Sequence, residues 1–109
     1  MNTAPRPGER VVKEGAANLQ KGIETVGGSL CLTTQRLVFE AHRFNVQGGV
    51  TEVELSSVRS TEPRWTKFLG LIPLFPNSLA VFTHEGVEHR FVLFGRHEWA
   101  AAIAAQLAR

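Results

Sequence analysis

The chain ends in one amphipathic helix that follows a long series of short apolar segments. Trp99, Ile103 and Leu107 recur at four-residue spacing and form a single apolar stripe on a helix predicted over residues 96–107. Alanine fills most of the other positions, which favours a helix locally. A helix with one apolar face has to cover an apolar surface formed by the rest of the chain. Because 109 residues suffice for one domain only, that surface must come from the segments before the helix.

Those segments have the length and the flanking residues of β-strands. Gly27-Gly28, Thr34-Gln35, Ser56-Ser57 and His84-Glu85-Gly86 are predicted turns. Between the breaks we predict seven strands, at residues 17–26, 29–33, 36–42, 50–55, 58–64, 78–83 and 88–94. The expected fold is mainly β with one helix: an antiparallel barrel or sandwich of about seven strands, capped by the C-terminal α-helix. Residues 1–8 are expected to form a loose or disordered tail, and residues 9–109 the domain.

The strand predicted over residues 50–55 shows the alternation of a sheet with one wet face. Val53 and Leu55 fall on one face with Thr51, whereas Glu52 and Glu54 fall on the other. We therefore expect the first face to join the core and the two carboxylates to face water.

The charge and composition exclude several classes of protein. The formal net charge is only +2, and the twelve basic residues are scattered, so the sequence does not predict nucleic-acid binding. Pro5, Pro7 and Gly8 lie in a polar N-terminus that does not have the pattern of a signal peptide. No apolar run reaches the roughly 18–20 residues of a spanning helix. We expect a cytoplasmic protein that either stays in solution or associates peripherally with a membrane surface.

Catalytic and metal-binding patterns are missing from the sequence. All ten acidic residues are Glu, which excludes Asp-based metal loops and Asp-containing triads. The four histidines are His42, His84, His89 and His97, and no Cys or Asp joins them as the further ligand that zinc needs. Cys31 lies in an apolar run, as an inert core thiol would. We therefore predict no enzyme activity, no cofactor and no metal.

Two groups of motifs resemble those of a known family. Residues 28–39 read Gly-Ser-Leu-Cys-Leu-Thr-Thr-Gln-Arg-Leu-Val-Phe, which is similar to the GRAM pattern of a strand ending in Leu-Thr, a two-residue turn and Arg-Leu-x-Phe. The second half of this sequence also resembles the family, at Pro76-Asn77, Gly86, Phe91 and Gly95-Arg96-x-x-Trp99. The resemblance covers residues 14–107. It implies the pleckstrin-homology-like (PH-like) fold of a short, bacterial-type GRAM protein and the binding of membrane lipids, often phosphoinositides, or of protein partners.

The resemblance does not extend to the phosphoinositide site of this superfold. Members that bind phosphoinositides carry Lys and Arg in and beside the loop between the first two strands. The predicted loop here is Thr25-Val26-Gly27-Gly28, which has no base, and the nearest base is Lys21. A multiply phosphorylated headgroup needs clustered donors.

The apolar segment from Trp65 to Phe75 is the strongest candidate for a functional surface. Gly70, Pro73 and Pro76 argue against a regular helix or central strand across it. The segment has three interpretations: contact with anionic membrane lipids, an interface with a second copy or another protein, or a cover over the core. The candidate lipid- or partner-binding residues are Arg64, Trp65, Lys67, Phe68 and Leu69.

Overall fold

The computed structural model describes residues 1–22, 24–42, 49–68 and 72–109. Within these ranges the chain forms seven antiparallel strands and one helix. They are β1 (Val11–Lys21), β2 (Glu24–Thr33), β3 (Arg36–Ala41), β4 (Val50–Glu54), β5 (Val58–Phe68), β6 (Ile72–Thr83), β7 (Glu88–Leu93) and α1 (Arg96–Leu107). The strands form one sheet in the order β4-β3-β2-β1-β7-β6-β5, and a 3-10 turn, Leu55–Ser57, connects the two edge strands. The predicted fold class is therefore confirmed.

The sheet curls around a single core that the helix closes. β1 pairs with β2 along nearly all of its length, but with β7 only from Ala17 to Gln20. One cluster of buried side chains draws on every strand and on Trp99 and Ile103 of α1, so the two halves of the sheet enclose the same core. The predicted bounds of the helix are confirmed, and two of the three stripe residues are buried. Leu107, in the last turn, is 38% exposed.

The first turn was placed wrongly by the sequence prediction. Gly27 and Gly28 lie inside β2, and the chain turns instead at Gly22, whose φ is +63°. Gly28 is needed for close packing, because a Cβ atom there would lie 2.2 Å from the carbonyl oxygen of Glu40. The glycine pair therefore marks a close approach of β2 to β3, which sequence alone does not distinguish from a turn.

The strands predicted at residues 58–64 and 78–83 were too short, although the expectation that the segment between them contains no central strand agrees with the pairing. β5 continues to Phe68 and β6 begins at Ile72, so the two strands pair through most of this segment. The pairing has register shifts between Arg64 and Thr66 and between Thr66 and Lys67. Proline is tolerated at bulges and where a strand has one neighbour only, and β6 pairs with β7 only from Ser78 onward.

The N-terminal tail has no regular secondary structure, yet it makes specific contacts with the domain. The backbone N–H groups of Asn2 and Thr3 donate to the carboxylate of Glu40, and Arg6 forms an ion pair with Glu54. These hydrogen bonds hold residues 1–8 against β3 and β4, where a loose tail had been expected.

Candidate functional site

The most distinctive part of the fold is the two-stranded arm formed by residues 64–68 and 72–77. The last pair between β6 and β7 is Ser78↔Val92, whereas β5 and β6 remain paired as far as Phe68↔Ile72. Six residues of β6 therefore extend past its pairing with β7, a length of about 20 Å at ~3.3 Å per residue. The arm is thus a ribbon that leaves the rest of the sheet.

The candidate residues named from the sequence lie in or beside this arm. Trp65, Lys67 and Phe68 belong to β5, with Lys67 opposite Pro73. Leu69 lies outside the described residues. The structure thus places four of the five candidates on one strand, with Arg64 where the arm begins.

Arg64 is held in place at the root of the arm. Its guanidinium forms an ion pair with Glu62 at 2.5 Å and lies 5.8 Å from the centre of the Phe82 ring. Its backbone carbonyl accepts a hydrogen bond of 2.8 Å from Nη1 of Arg96, the first residue of α1. This hydrogen bond connects the arm to the start of the helix and brings two basic residues, Arg64 and Arg96, together.

A cleft of about 330 Å³ opens beside the root of the arm. Asn18, Gly27 and His42 lie on one side of it, and Asn77 and Phe94 also line it. No Lys, Arg or Glu occurs among the described residues around this cleft. A cleft without cations does not provide the clustered donors that a multiply phosphorylated headgroup needs.

Phe94 is the residue of this region that the sequence prediction missed. Phe91 and Leu93 are buried, so the alternation of β7 directs Phe94 to the opposite face, where its exposed fraction is 91%. The same alternation was visible in the sequence and could have identified Phe94 as an exposed aromatic residue.

The densest group of charges is a structural cluster and not an open ligand site. The side chains of Arg36 and Glu9 are 4% and 1% exposed, and Arg36 Nε donates to Glu9 Oε2 at 2.7 Å. Thr33 Oγ1 donates to the same carboxylate at 2.7 Å. These donors, with the Arg36 guanidinium foremost, lower the pKa of Glu9 from 4.5 to about 2.

Glu52 and Glu54 are partly exposed, as predicted, but they also form ion pairs at the edge of this cluster. Arg36 Nη1 lies 3.0 Å from Glu52, and Arg6 pairs with Glu54. Since strands β3 and β4 bring Arg36 opposite Glu54, the pairing depends on register that local sequence does not reveal. Every charge in the cluster has a partner of opposite sign, which leaves none to recruit a ligand.

The loop between the first two strands differs from the predicted one. It spans Lys21 to Glu24, and Lys21 therefore lies at the loop itself. Lys21 is paired across the turn with Glu24, and one base opposite one acid is a weak site for an anion.

The described residues contain no group of metal ligands, and the one thiol, that of Cys31, is not activated. No three His, Cys, Asp or Glu residues among them are grouped as metal ligands would be. Burial raises the pKa of the Cys31 thiol to about 11, so the thiol is protonated at neutral pH. No helix within the described ranges is both long and apolar enough to cross a membrane.

Solved structures with the same fold support this architecture. The C-terminal domain of an unknown protein from Leishmania infantum aligns with a TM-score of 0.76 at 16% identity, covering 94% of this chain and 88% of that one. The N-terminal PH domain of Vps36 gives a TM-score of 0.69 at 16% identity, covering 97% and 87%. The PH domain of Slm1, solved in complex with phosphoserine, gives 0.66 at 13% identity, covering 91% and 97%. No protein-family model and no curated protein matches the sequence. The fold is PH-like.

Proposed function

We propose that this protein is a non-catalytic binding module of GRAM/PH-like type that associates peripherally with anionic membrane lipids through the β5–β6 arm. The observation that carries the proposal is the composition of the arm together with its extension beyond β7. Residues 64–77 contain two bases, Arg64 and Lys67, and no acid. Seven of the same residues are large and apolar: Trp65, Phe68, Leu69, Leu71, Ile72, Leu74 and Phe75.

The energies expected for such an arm suit reversible binding. Burying one large apolar side chain contributes about 1.5–3 kcal/mol, and a base near an anionic surface contributes about 1 kcal/mol. Two aromatic side chains and two bases therefore supply about 5–8 kcal/mol before the cost of association. That range corresponds to partitioning that is reversible and depends on salt.

The PH-like fold is compatible with a binding module, but the fold does not determine which ligand is bound. The side chains on the surface determine it. A multiply phosphorylated headgroup is disfavoured, since Lys21 is the one base of the β1–β2 loop and no cation occurs among the described residues that line the cleft at residues 16–18. A surface that combines apolar side chains with a few bases fits a bilayer of ordinary anionic lipids better than one headgroup.

Co-sedimentation with vesicles tests the proposal. The wild-type protein should pellet with vesicles of phosphatidylcholine and phosphatidylserine, and less with phosphatidylcholine alone or at high salt. Replacing both Trp65 and Phe68 with alanine should lower the partition coefficient by about 100-fold or more, because about 3–6 kcal/mol of burial is lost. Val87→Ala is the matched control, since Val87 is an exposed apolar residue in the β6–β7 turn.

Self-assembly is the alternative use of the same arm. A protein that ignores vesicles but sediments as a dimer at high concentration, and becomes monomeric when Trp65 and Phe68 are replaced, would exclude the lipid proposal and establish a protein interface instead. Wild-type protein that neither pellets with vesicles nor associates with itself would refute both uses of the arm.

A further inference from the structure

Outside residues 65–76, Phe94 is far more exposed than any other large apolar residue that the structure describes. Its exposed fraction is 91%, while the other exposed apolar side chains, among them Val11 and Val87, lie between 38% and 49%. Leaving a whole phenylalanine ring in water forgoes most of the free energy that its burial provides. Such a residue is a strong candidate for contact with a partner or a membrane.

The position of Phe94 places it beside the arm. β6 and β7 are antiparallel, and Ser78↔Val92 is their last pair. Beyond that pair, the chain runs through Leu93, the last residue of β7, to Phe94, in the direction in which the arm leaves the sheet through Asn77. Asn77 and Phe94 line the same cleft, which confirms that the two chain segments remain close.

The bases of the arm and of the turn after Phe94 outnumber the acids by one, with Arg64, Lys67 and Arg96 against Glu62 and Glu98. Gly95, with φ of +71°, turns the chain directly into α1, which begins with Arg96. The Arg96 side chain reaches the backbone of Arg64, so both bases lie at the root of the arm near Phe94. Glu98 is the acid nearest to this turn, and a Cβ atom at Gly95 would lie 3.0 Å from its Oε2. Glu62 is already paired with Arg64.

We propose that Phe94 is a second membrane anchor, which enters an anionic bilayer beside the β5–β6 arm with Arg64 and Arg96 at the level of the headgroups. The inference rests on the proposed function and adds a residue from a different strand to the docking surface. Two separate points of insertion fix the orientation of a domain on a membrane, whereas one hairpin leaves it free to tilt. Aromatic rings flanked by bases are favourable at the boundary between headgroups and acyl chains.

The first test compares Phe94→Ala with Val87→Ala in vesicle co-sedimentation. Both side chains are exposed, and the last β6–β7 pairs put Val87 at the end of β7 away from Phe94. Phe94→Ala should weaken partitioning into anionic vesicles by about ten-fold, the effect of losing one aromatic burial. Val87→Ala should bind as the wild type does. Because Phe94 is exposed, unfolding temperatures should be equal in all three proteins.

A fluorescent probe measures insertion directly. Cys31 is buried and its thiol pKa is raised to about 11, so a Phe94→Cys variant can be labelled selectively with an environment-sensitive fluorophore. Emission should shift to the blue on adding anionic vesicles, and nitroxide-labelled acyl chains should quench it. The same fluorophore on a Val87→Cys variant should show neither change.

The outcomes separate this inference from the proposed function. Wild-type binding that is unchanged by Phe94→Ala, with no quenching at position 94, overturns the second anchor and leaves the arm in place. Loss of binding with Phe94→Ala, but not with the Trp65 and Phe68 replacements, supports the anchor and overturns the arm. If Phe94→Ala instead abolishes a dimer and leaves vesicle binding intact, the ring contacts a second copy and the inference is wrong.

Discussion

Replacing Glu9 with alanine removes the carboxylate around which the start of the domain is organised. In the folded protein this carboxylate accepts hydrogen bonds from Nε and Nη2 of Arg36 at 2.7 and 2.9 Å and from Oγ1 of Thr33 at 2.7 Å. It also accepts one from the backbone N–H of Arg6 at 2.9 Å. After the change, the guanidinium of Arg36 remains buried, and its remaining partners among the described residues are the carbonyl of Ala4 and the Glu52 carboxylate, each at 3.0 Å.

Two energies, the cost of breaking a buried ion pair and the shift in the Glu9 pKa, give the expected loss in the free energy of unfolding. Removing one partner of a buried ion pair costs about 3–5 kcal/mol. The fall in the Glu9 pKa from 4.5 to about 2 corresponds to about 3 kcal/mol of preferential stabilisation of the carboxylate in the folded state. Because Glu52 still neutralises Arg36 in part, we expect the lower end, about 3 kcal/mol. A domain of ordinary stability, about 5–15 kcal/mol, remains folded after that loss.

Urea unfolding at pH 7 measures the effect. With a slope of about 1–3 kcal/mol per molar urea, the midpoint should fall by about 1–3 M. Adding Arg36→Met to Glu9→Ala should cost less than the sum of the two single changes, because the second change removes the unpaired buried charge.

Glu88→Ala is the matched control, since Glu88 pairs with Arg90 at 2.7 Å on the surface. Exposed pairs contribute about 0–1 kcal/mol, so the control should shift the midpoint little. Equal midpoints for Glu9→Ala and Glu88→Ala, or strict additivity with Arg36→Met, would refute the reasoning.

Changes at Glu9, at two glycines and at Cys31 test other parts of the fold. The stabilisation by Glu9 is fully present above its unfolded-state pKa of about 4.5 and is lost as the pH falls through about 2, so Glu9→Gln should flatten the acid limb of the stability curve between these values. Gly28→Ala should destabilise by about 1–3 kcal/mol, because its Cβ would collide with the carbonyl oxygen of Glu40. Gly22→Ala, at positive φ in open space, should cost only about 1 kcal/mol, and equal losses would contradict the packing argument. Cys31 should react with a thiol reagent only as fast as the protein unfolds, which stopped-flow absorbance can follow; rapid labelling of native protein would disprove its burial.

The turn and strand signals were reliable where a local rule decides the structure. The turn at Thr34-Gln35 follows from Thr33, whose hydroxyl accepts hydrogen bonds from the backbone N–H groups of Gln35 and Arg36. Thr33 had been singled out through the Leu-Thr of the GRAM-like motif. The turn at His84–Gly86 was found in the same way, with Gly86 at φ of +87°.

Register and close approach account for the errors. Gly28 looked like a turn residue because local sequence does not show that Glu40 of the neighbouring strand passes within contact distance. The prolines of the arm argue against a central strand, so no strand was predicted there. They are tolerated because the pairing of β6 with β7 stops at Ser78, which leaves the arm part of β6 with one neighbouring strand. For the same reason, the sequence identified Trp65 and Phe68 as candidates but could not add Phe94 to the same surface.

The sequence by itself determined the fold class, the position and length of the helix, and the residues with which α1 plugs the core. These properties follow from periodicity and turn chemistry, which act over a few neighbouring positions. Tertiary structure alone decided that Glu9 is buried against Arg36, 27 residues away. It also decided that β5 and β6 extend as an arm and that Phe94 lies at the root of that arm. Each of these depends on which strands become neighbours and where their pairing stops, and that is a property of the assembled sheet.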